Sequence, residues 1–239
     1  MPERLPFHIL RRWVAACLLI GGLAAVAQSP ALVVVRPVLN MHSGPTADTD
    51  VVSQATLGSR VLERGRQSAW VKVETDDAYT GWVEATALRP LKAGESYPAS
   101  LAPGRVVEVS ALSANVYREA DVTKHAPLLQ APFATRLERV QGGRDTARWL
   151  EVRLPDGRPA WIQAGDVRTD LRPLSLPAAL EVAKRFLGIT YTWGGSSTFG
   201  YDCSGFTQAI YRQHGVILPR DAHVQAAWTG LRPVARRED

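Results

Sequence analysis

Cysteine is scarce in this chain: two of its 239 residues are cysteines, Cys17 and Cys203. If the leader described below is removed, Cys203 remains alone, which excludes an intramolecular disulfide and a disulfide-stapled scaffold. Exported proteins use cysteine mostly in pairs, so a single one indicates a reactive thiol or an intermolecular bond. The alternative is an inert cysteine that packs as a small apolar side chain.

Long apolar runs are also lacking. The N-terminal uncharged run, Trp13 to Val26, has 14 residues, whereas a transmembrane helix needs about 20. Three arginines precede this run, and it closes on Ala25-Val26-Ala27. A basic start, a short apolar core and an A-x-A site predict a signal peptide over residues 1–27, with a membrane anchor as the alternative. We therefore expect a periplasmic or secreted protein with no membrane span after cleavage.

Excess charge of one sign is small. The net charge is +5, and the leader contributes three arginines against Glu3, so +3 remains after cleavage. This surplus is compatible with an anionic polymer as partner, but a solvated surface is the better explanation. The basic stretch 232–237 is interrupted by Pro233 and followed by acids, so no nucleic-acid partner is expected. The apolar content of 46% excludes a disordered chain.

What the chain does contain is an internal repeat. Trp70 and Trp82 stand twelve residues apart, and so do Trp149 and Trp161. The two copies are offset by 75 residues upstream and by 79 at the tryptophans, which places a four-residue insertion in the second copy. Short alternating apolar runs between turn residues predict small antiparallel barrels. We expect the two tryptophans to supply much of each small core.

The first copy contains Leu39-Asn40-Met41-His42-Ser43-Gly44-Pro45 and then Gly81-Trp82-Val83, and it resembles the bacterial SH3-like (SH3b) domain. The second copy lacks the Gly-Pro pair and is the weaker match. The resemblance implies SH3b-like barrels over residues 31–92 and 103–170. Such domains commonly bind cell-wall peptides or position a neighbouring enzyme.

From Ser175 onward the apolar residues recur every three to four positions, which is the spacing typical of a helix. The first predicted helix begins at Ser175, ends near Gly188, and has one apolar face formed by Leu176, Leu180, Ala183 and Leu187. A second helix is predicted after Asp202-Cys203-Ser204-Gly205, with Gly215 as its stop. Its expected buried face is formed by Phe206, Ala209 and Ile210.

Cys203 is thus expected at the N-terminus of the second helix. Free backbone N–H groups there stabilise a thiolate and can hydrogen-bond an oxyanion that forms on an attacked carbonyl. Glycines on both sides allow a substrate backbone to approach closely. The pattern favours acyl transfer by a cysteine nucleophile.

Tyr191-x-Trp193-Gly194-Gly195, then Asp202-Cys203-Ser204-Gly205, then Leu218-Pro219-Arg220-Asp221 and Gln225 resemble the NlpC/P60 family of cell-wall peptidases. The resemblance implies an α+β fold overall: two SH3b-like barrels followed by a papain-like domain. It also implies cleavage of peptidoglycan or muropeptide stem peptides, typically between γ-D-glutamate and the diamino acid. No metal or other cofactor is implied.

The same resemblance implies roles for individual residues. Cys203 is the nucleophile, and Tyr191 helps to hold the oxyanion unless it is a core tyrosine. Asp221 contacts the free amino end of the stem peptide, unless it is a surface or capping aspartate, and Tyr79 closes the pocket from the first barrel. The remaining expected substrate contacts are Trp193, Asp202 and Ser204.

The family's base is a histidine on a strand well beyond the cysteine, but this chain ends 36 residues after Cys203. His214 would lie about 16 Å along the helix, and His223 falls where the family has no base. We therefore expect residues 174–239 to be the first part of a truncated catalytic domain, inactive as it stands. The alternatives are a non-catalytic wall-binding protein and an amidase or acyltransferase on the same scaffold.

Overall fold

The computed structural model describes residues 29–232, which form two antiparallel sheets followed by a mainly helical segment. The predicted signal peptide, residues 1–27, lies outside the described residues. Within the part of the chain that the structure describes, no helix is both long and apolar enough to cross a membrane.

The first sheet has seven strands in the spatial order β3-β2-β6-β5-β4-β1-β7. In chain order they are β1 (Ala31–Val34), β2 (Val38–His42), β3 (Val51–Thr56), β4 (Arg60–Gln67), β5 (Trp70–Glu74), β6 (Thr80–Glu84) and β7 (Leu88–Pro90), with a 3₁₀ turn at Ala85–Ala87 between the last two. Neighbouring strands pair antiparallel throughout, which places β3 at one edge of the sheet.

The second sheet repeats this order as β10-β9-β13-β12-β11-β8-β14. Its strands are β8 (Val106–Val109), β9 (Ser113–Tyr117), β10 (Leu129–Pro132), β11 (Arg136–Arg139), β12 (Trp149–Arg153), β13 (Pro159–Gln163) and β14 (Val167–Arg168), with a 3₁₀ turn at Ala164–Asp166. Adding seven to each strand number of the first sheet gives the second. The internal repeat read from the tryptophan spacing is therefore present in the fold.

The core of each sheet is aliphatic. In the first sheet Met41, Val71, Val73 and Val83 are fully buried among their neighbours, whereas the Trp70 ring lies outside this cluster. In the second sheet the tryptophans are buried but form a separate aromatic group beside the aliphatic core, consisting of Tyr117, Trp149 and Trp161. The expectation that two tryptophans supply much of each core is therefore wrong for the first sheet, whereas in the second sheet Trp149 and Trp161 are buried in a core cluster of their own. In both sheets alternation along the strands places the tryptophans on the face opposite the aliphatic core.

The last segment contains α1 (Leu176–Lys184), β15 (Ser196–Ser197), β16 (Gly200–Tyr201), α2 (Cys203–Gln213) and α3 (Ala222–Ala226). Ser175 Oγ caps α1 by accepting from Ala178 N, and Gly215 stops α2 with a φ of +85°. Both helix boundaries at these residues follow the predicted signals.

The packing face of α1 differs from the apolar face read from the sequence. Leu176 and Leu180 are 46% and 51% exposed, and Leu187, beyond the helix end, is 84% exposed. Ala179 is instead fully buried, in a cluster with Phe186, Tyr201 and Ile210. The small residue faces inward because the helix lies close against α2 and the aromatic cluster.

The helical segment is fixed to both sheets. Phe133, just after β10, packs edge-on against Phe186 with 5.1 Å between ring centroids, and its N–H donates to Thr198 Oγ1. From the first sheet, the turn between β5 and β6 contacts α2. There Asp76 forms a two-bond ion pair with Arg212, and Asp77 Oδ2 accepts from Gln208 Nε2 at 2.7 Å.

Candidate active site

Cys203 is the first residue of α2, and its side chain is exposed. Asp202 precedes it as the N-cap, with Oδ1 accepting from Gly205 N at 2.7 Å. Within the described residues, the N–H groups of Cys203 and Ser204 donate to no other group of the chain. The predicted placement of a thiol at a helix N-terminus is present, with two adjacent amides available for a ligand oxygen.

The Asp202 carboxylate lies under the start of α2 and is 9% exposed. Its Oδ2 accepts from Gly194 N at 3.1 Å and pairs with Arg220 Nη2 at 2.6 Å. Burial alone would raise the pKa of Asp202, but the hydrogen bonds from Arg220 and Gly205 and the Arg220 charge outweigh it and lower the pKa. Both carboxylate oxygens of Asp202 therefore accept hydrogen bonds from other groups of the chain.

Arg220 is the residue that sequence reasoning left without a role. It is 2% exposed, and its guanidinium joins three parts of the fold. It donates to Ser53 Oγ (3.0 Å), Ser204 Oγ (2.9 Å), Gly195 O (3.4 Å) and both oxygens of Asp202 (2.6 and 3.0 Å). The sequence indicated a role for Arg220 only through its place beside Asp221 in the motif. Nothing in the sequence indicated its contact with Ser53.

Strand β3 forms the back of the glycine loop before Cys203. Gln54 Oε1 accepts from Ser196 N at 3.0 Å, while Gln54 Nε2 donates to Asn40 Oδ1 at 3.1 Å. Gly194 adopts a φ of +73°, and a Cβ there would lie 3.0 Å from a Val51 methyl and 3.1 Å from the Val51 carbonyl. Glycine is required at this position by both conformation and space.

Tyr79 and Asp221, expected to act together on the substrate, are neighbours. Burial and the charge of the Asp221 carboxylate raise the pKa of the Tyr79 hydroxyl. Asp221 is the N-cap of α3, yet its side chain makes no capping hydrogen bond. Within residues 29–232 no lysine, arginine or histidine pairs with this carboxylate. An unpaired carboxylate beside a tyrosine hydroxyl suits a cationic ligand group.

The other two predicted aromatic side chains lie at the surface. Tyr191 is 61% exposed and Trp193 71% exposed, on the strand-like segment that leads into Gly194. The backbone of this segment is fixed, because Thr192 N donates to Tyr201 O and Tyr191 forms a β-bridge with Tyr201. Gln225, quoted with the motif, is buried and donates to Ser204 O at 3.0 Å, which ties α3 to the first turn of α2.

Neither histidine after Cys203 is hydrogen-bonded to it. His214 caps the far end of α2, where its Nδ1 contacts Leu174 O at 2.7 Å, and His223 is an exposed residue of α3. Among residues 29–232, no group of three or more histidine, cysteine, aspartate or glutamate side chains is arranged to hold a metal ion.

The chain matches known proteins in these same regions. Residues 188–237 match the NlpC/P60 family, and residues 37–89 match the bacterial SH3 domain. A gamma-D-glutamyl-L-lysine dipeptidyl-peptidase from Bacillus cereus is 29% identical over 192 residues, which are 73% of this chain and 54% of the relative. Its namesake from Bacillus subtilis is 26% identical over 77% of this chain and 60% of its own length. The chain thus spans roughly half of these relatives.

The fold also has a solved counterpart. The crystal structure of an NlpC/P60 family protein from Bacillus cereus aligns with a TM-score of 0.68, at 24% identity, over 82% of this chain and 76% of that one. Residues 37–89 of the chain are therefore similar to the bacterial SH3 domain, and residues 188–237 are similar to the NlpC/P60 family.

Proposed function

We propose that the protein is an exported cysteine peptidase that hydrolyses peptidoglycan stem peptides between γ-D-glutamate and the diamino acid. The observation that carries the proposal is the exposed thiol of Cys203 beside the two unused N–H groups of the first turn of α2. The gamma-D-glutamyl-L-lysine dipeptidyl-peptidases to which the chain is similar support the choice of bond.

In this mechanism the Cys203 thiolate attacks the γ-carbonyl carbon of the glutamate. The carbonyl oxygen takes up the negative charge, which the free amides of Cys203 and Ser204 stabilise. Collapse of the intermediate breaks the C–N bond, and the diamino acid leaves as an amine after it has accepted a proton. Water then hydrolyses the thioester and restores the thiol.

Substrate specificity is assigned to two side chains, Tyr79 of the first sheet and Asp221 at the start of α3. The Asp221 carboxylate binds the free ammonium of the stem peptide, and the Tyr79 hydroxyl closes the pocket beside it. Tyr191 and Trp193 form the exposed rim on the other side, with Tyr191 assisting the oxyanion.

Asp202 and Ser204 receive a different role from the one first expected. Both are buried and bonded to Arg220 and to the backbone of the site. We assign them to positioning the first turn of α2, and through it Cys203, rather than to contacting the substrate.

The base is the open part of the mechanism. The described residues include the proposed nucleophile and the proposed substrate contacts, and none of their histidines is hydrogen-bonded to Cys203. We therefore propose that this chain is inactive by itself and that an external base such as imidazole restores cleavage. The same observation favours a second candidate function, wall binding through the SH3 domain without cleavage.

The test is incubation of the chain with L-Ala-γ-D-Glu-L-Lys or its diaminopimelate analogue, with and without imidazole, followed by mass spectrometry. Cleavage by the wild-type chain that is stimulated by imidazole and lost in Cys203→Ala supports the peptidase. Cleavage that persists in Cys203→Ala rejects Cys203 as the nucleophile. The binding function is supported if neither the wild-type nor the Cys203→Ala chain cleaves the peptide, with or without imidazole, and both are retained equally on insoluble peptidoglycan.

A further inference from the structure

The two repeats share an aromatic corner at the same end of the same hairpin. In the second sheet, Trp149 contacts Tyr117 edge-on at 5.5 Å and is paired across the strands with Gln163. In the first sheet, Trp70 contacts His42 edge-on at 5.4 Å and is paired with Glu84. The equivalence of the repeats therefore extends to the side chains that build this corner.

In the second repeat the chain fills its own corner. The Arg148 guanidinium lies over the Trp149 ring, 5.7 Å from its centroid, and donates to Gln163 Oε1 at 3.2 and 3.3 Å. Arg144, from the inserted segment, lies over Trp161 at 5.4 Å. The two tryptophans are only 6% and 7% exposed, so this corner is already occupied by cations.

In the first repeat the same space is open. Ala69 stands where the second repeat has Arg148, and the carboxylate of Glu84 stands where it has the amide of Gln163. A cavity of about 280 Å³ remains between Trp70 and Glu84. Arg36 and Asn40 also line it. The His42 ring in its wall is fixed by its contact with Thr49 O at 3.0 Å.

We propose that this cavity, the Trp70 corner, binds the side-chain ammonium of a lysine-like amino acid carried by a peptide. The second repeat shows that a cation over the tryptophan face fits the geometry, and attraction between a cation and an indole ring supplies part of the energy. Glu84 adds a negative partner that the filled corner lacks, in a charge-assisted hydrogen bond. Arg36, which also lines the cavity, donates to the α-carboxylate of this amino acid when it is the C-terminal residue of the peptide.

The Trp70 corner lies away from the substrate pocket proposed beside Tyr79, although its Asn40 is hydrogen-bonded to Gln54, which also holds Ser196 N of the glycine loop. Tyr79 lies beyond the opposite end of the β5–β6 hairpin, where Glu74 pairs with Thr80. Glu74 is four residue steps along β5 from Trp70, which is about 13 Å. Binding at the corner therefore requires no catalysis, and it can be measured in the Cys203→Ala chain.

The probes are Nα-acetyl-L-lysine, which carries both charges, its amide, which keeps only the ammonium, and Nα-acetyl-L-norleucine, which keeps only the carboxylate. Indole N–H signals of the full chain are followed by NMR, with Trp70→Phe to assign the Trp70 signal. We expect acetyl-lysine to bind with millimolar affinity, its amide several-fold more weakly, and norleucine not measurably. Shifts of equal size with norleucine would show apolar binding only and overturn the proposal.

Two variants test the partners. Glu84→Gln is expected to weaken binding about tenfold, and Ala69→Arg to abolish it by supplying the cation from the chain itself. Both positions are exposed, so the fold is expected to survive, as the unchanged remaining indole signals will show. Gln163→Glu in the filled second repeat is the matched control and should leave binding unchanged. Undiminished binding in both first-repeat variants, or no binding by the wild-type chain, rejects the site.

Discussion

Ser53 and Arg220 are 167 positions apart, yet Ser53 Oγ accepts a hydrogen bond from Arg220 Nε at 3.0 Å in a buried setting. Ser53 belongs to edge strand β3 of the first sheet, and Arg220 also holds Asp202, the cap of the helix that carries Cys203. The first sheet is therefore part of the structure that positions the thiol.

Replacement of Arg220 by methionine removes the cation from a buried ion pair. The Asp202 carboxylate keeps its hydrogen bonds from Gly194 N and Gly205 N but loses its counter-charge. The expected loss is about 3–5 kcal/mol in the free energy of unfolding, measured by urea denaturation. Arg220→Lys should recover only part, because an ammonium cannot reach Ser53, Ser204 and Asp202 in the same geometry.

The matched control is Arg172→Met. Arg172 pairs with Asp170, but the two side chains are 85% and 59% exposed, so about 0–1 kcal/mol is expected. Equal losses for the two arginine variants would contradict the role assigned to Arg220.

Low pH should weaken the ion pair between Arg220 and Asp202. The folded-state pKa of Asp202 lies below its ordinary value of 3.8, so the unfolded chain binds this proton more tightly. The contribution of Asp202 to stability is therefore complete above about pH 4 and is lost as the pH falls through the lowered pKa, by up to about 1.4 kcal/mol per pH unit. Urea denaturation from pH 6 to pH 2.5 measures this dependence.

The comparison chain for the acid experiment is Asp202→Asn, which cannot titrate at this position. Its stability should be lower at neutral pH, and its decline below pH 4 should be shallower than that of the wild-type chain. Parallel pH curves for the two chains would show that other carboxylates cause the acid sensitivity.

Local signals in the sequence predicted the frame of the site. The sequence predicted a helix that starts after Asp202, because aspartate is a common N-cap residue. In the structure α2 begins at Cys203, the next residue. The repeat was predictable as well, because the tryptophan spacing survives the insertion. These features depend on residues that are close in the chain.

The rest depends on contacts between distant segments, which a single sequence does not encode visibly. The burial of Arg220 requires Ser53, and the outward position of Leu180 follows from the closeness of α1 to the aromatic cluster around Phe186. The placement of Trp70 outside the core shows the same limit, since strand alternation is compatible with either face until the core is known.

Gly205→Ala is expected to lower the free energy of unfolding, whereas replacing glycine by alanine in a helix usually raises it. In a helix interior, alanine is more favourable than glycine by up to about 1 kcal/mol, but a Cβ at Gly205 would overlap the carbonyl oxygen of Gly195. We expect a loss of about 1–3 kcal/mol from overpacking, together with slower alkylation of Cys203 by iodoacetamide as the loop moves. Gly165→Ala, where a Cβ meets nothing within 4 Å, is the control and should change neither quantity.

Gln54 offers a milder test of the link between the first sheet and the glycine loop. Gln54→Ala removes the acceptor of the Ser196 N–H, and an unsatisfied buried donor costs about 1–3 kcal/mol. Hydrogen exchange of the Ser196 amide should accelerate, while the exchange of core amides such as that of Val71 stays slow. Gln54→Glu keeps an acceptor at this place and should restore the protection of Ser196. Equal exchange of Ser196 in the alanine and wild-type chains would argue against the link.

Asp221 and Tyr79 should distinguish a free amino end from a blocked one. In a Cys203→Ala background, which binds without cleaving, L-Ala-γ-D-Glu-L-Lys is expected to bind more tightly than its N-acetylated form. Asp221→Asn should weaken binding of the free peptide about tenfold to a hundredfold, the value of a hydrogen bond between charged groups, and leave the acetylated peptide almost unchanged. Tyr79→Phe should cause a smaller loss with the same preference, because the ring still closes the pocket. Asp50→Asn, at an exposed position of the first sheet, is the control for a general charge effect. Calorimetric titration measures all four chains, and an equal loss for both peptides in Asp221→Asn would assign Asp221 to the fold of α3 rather than to the substrate.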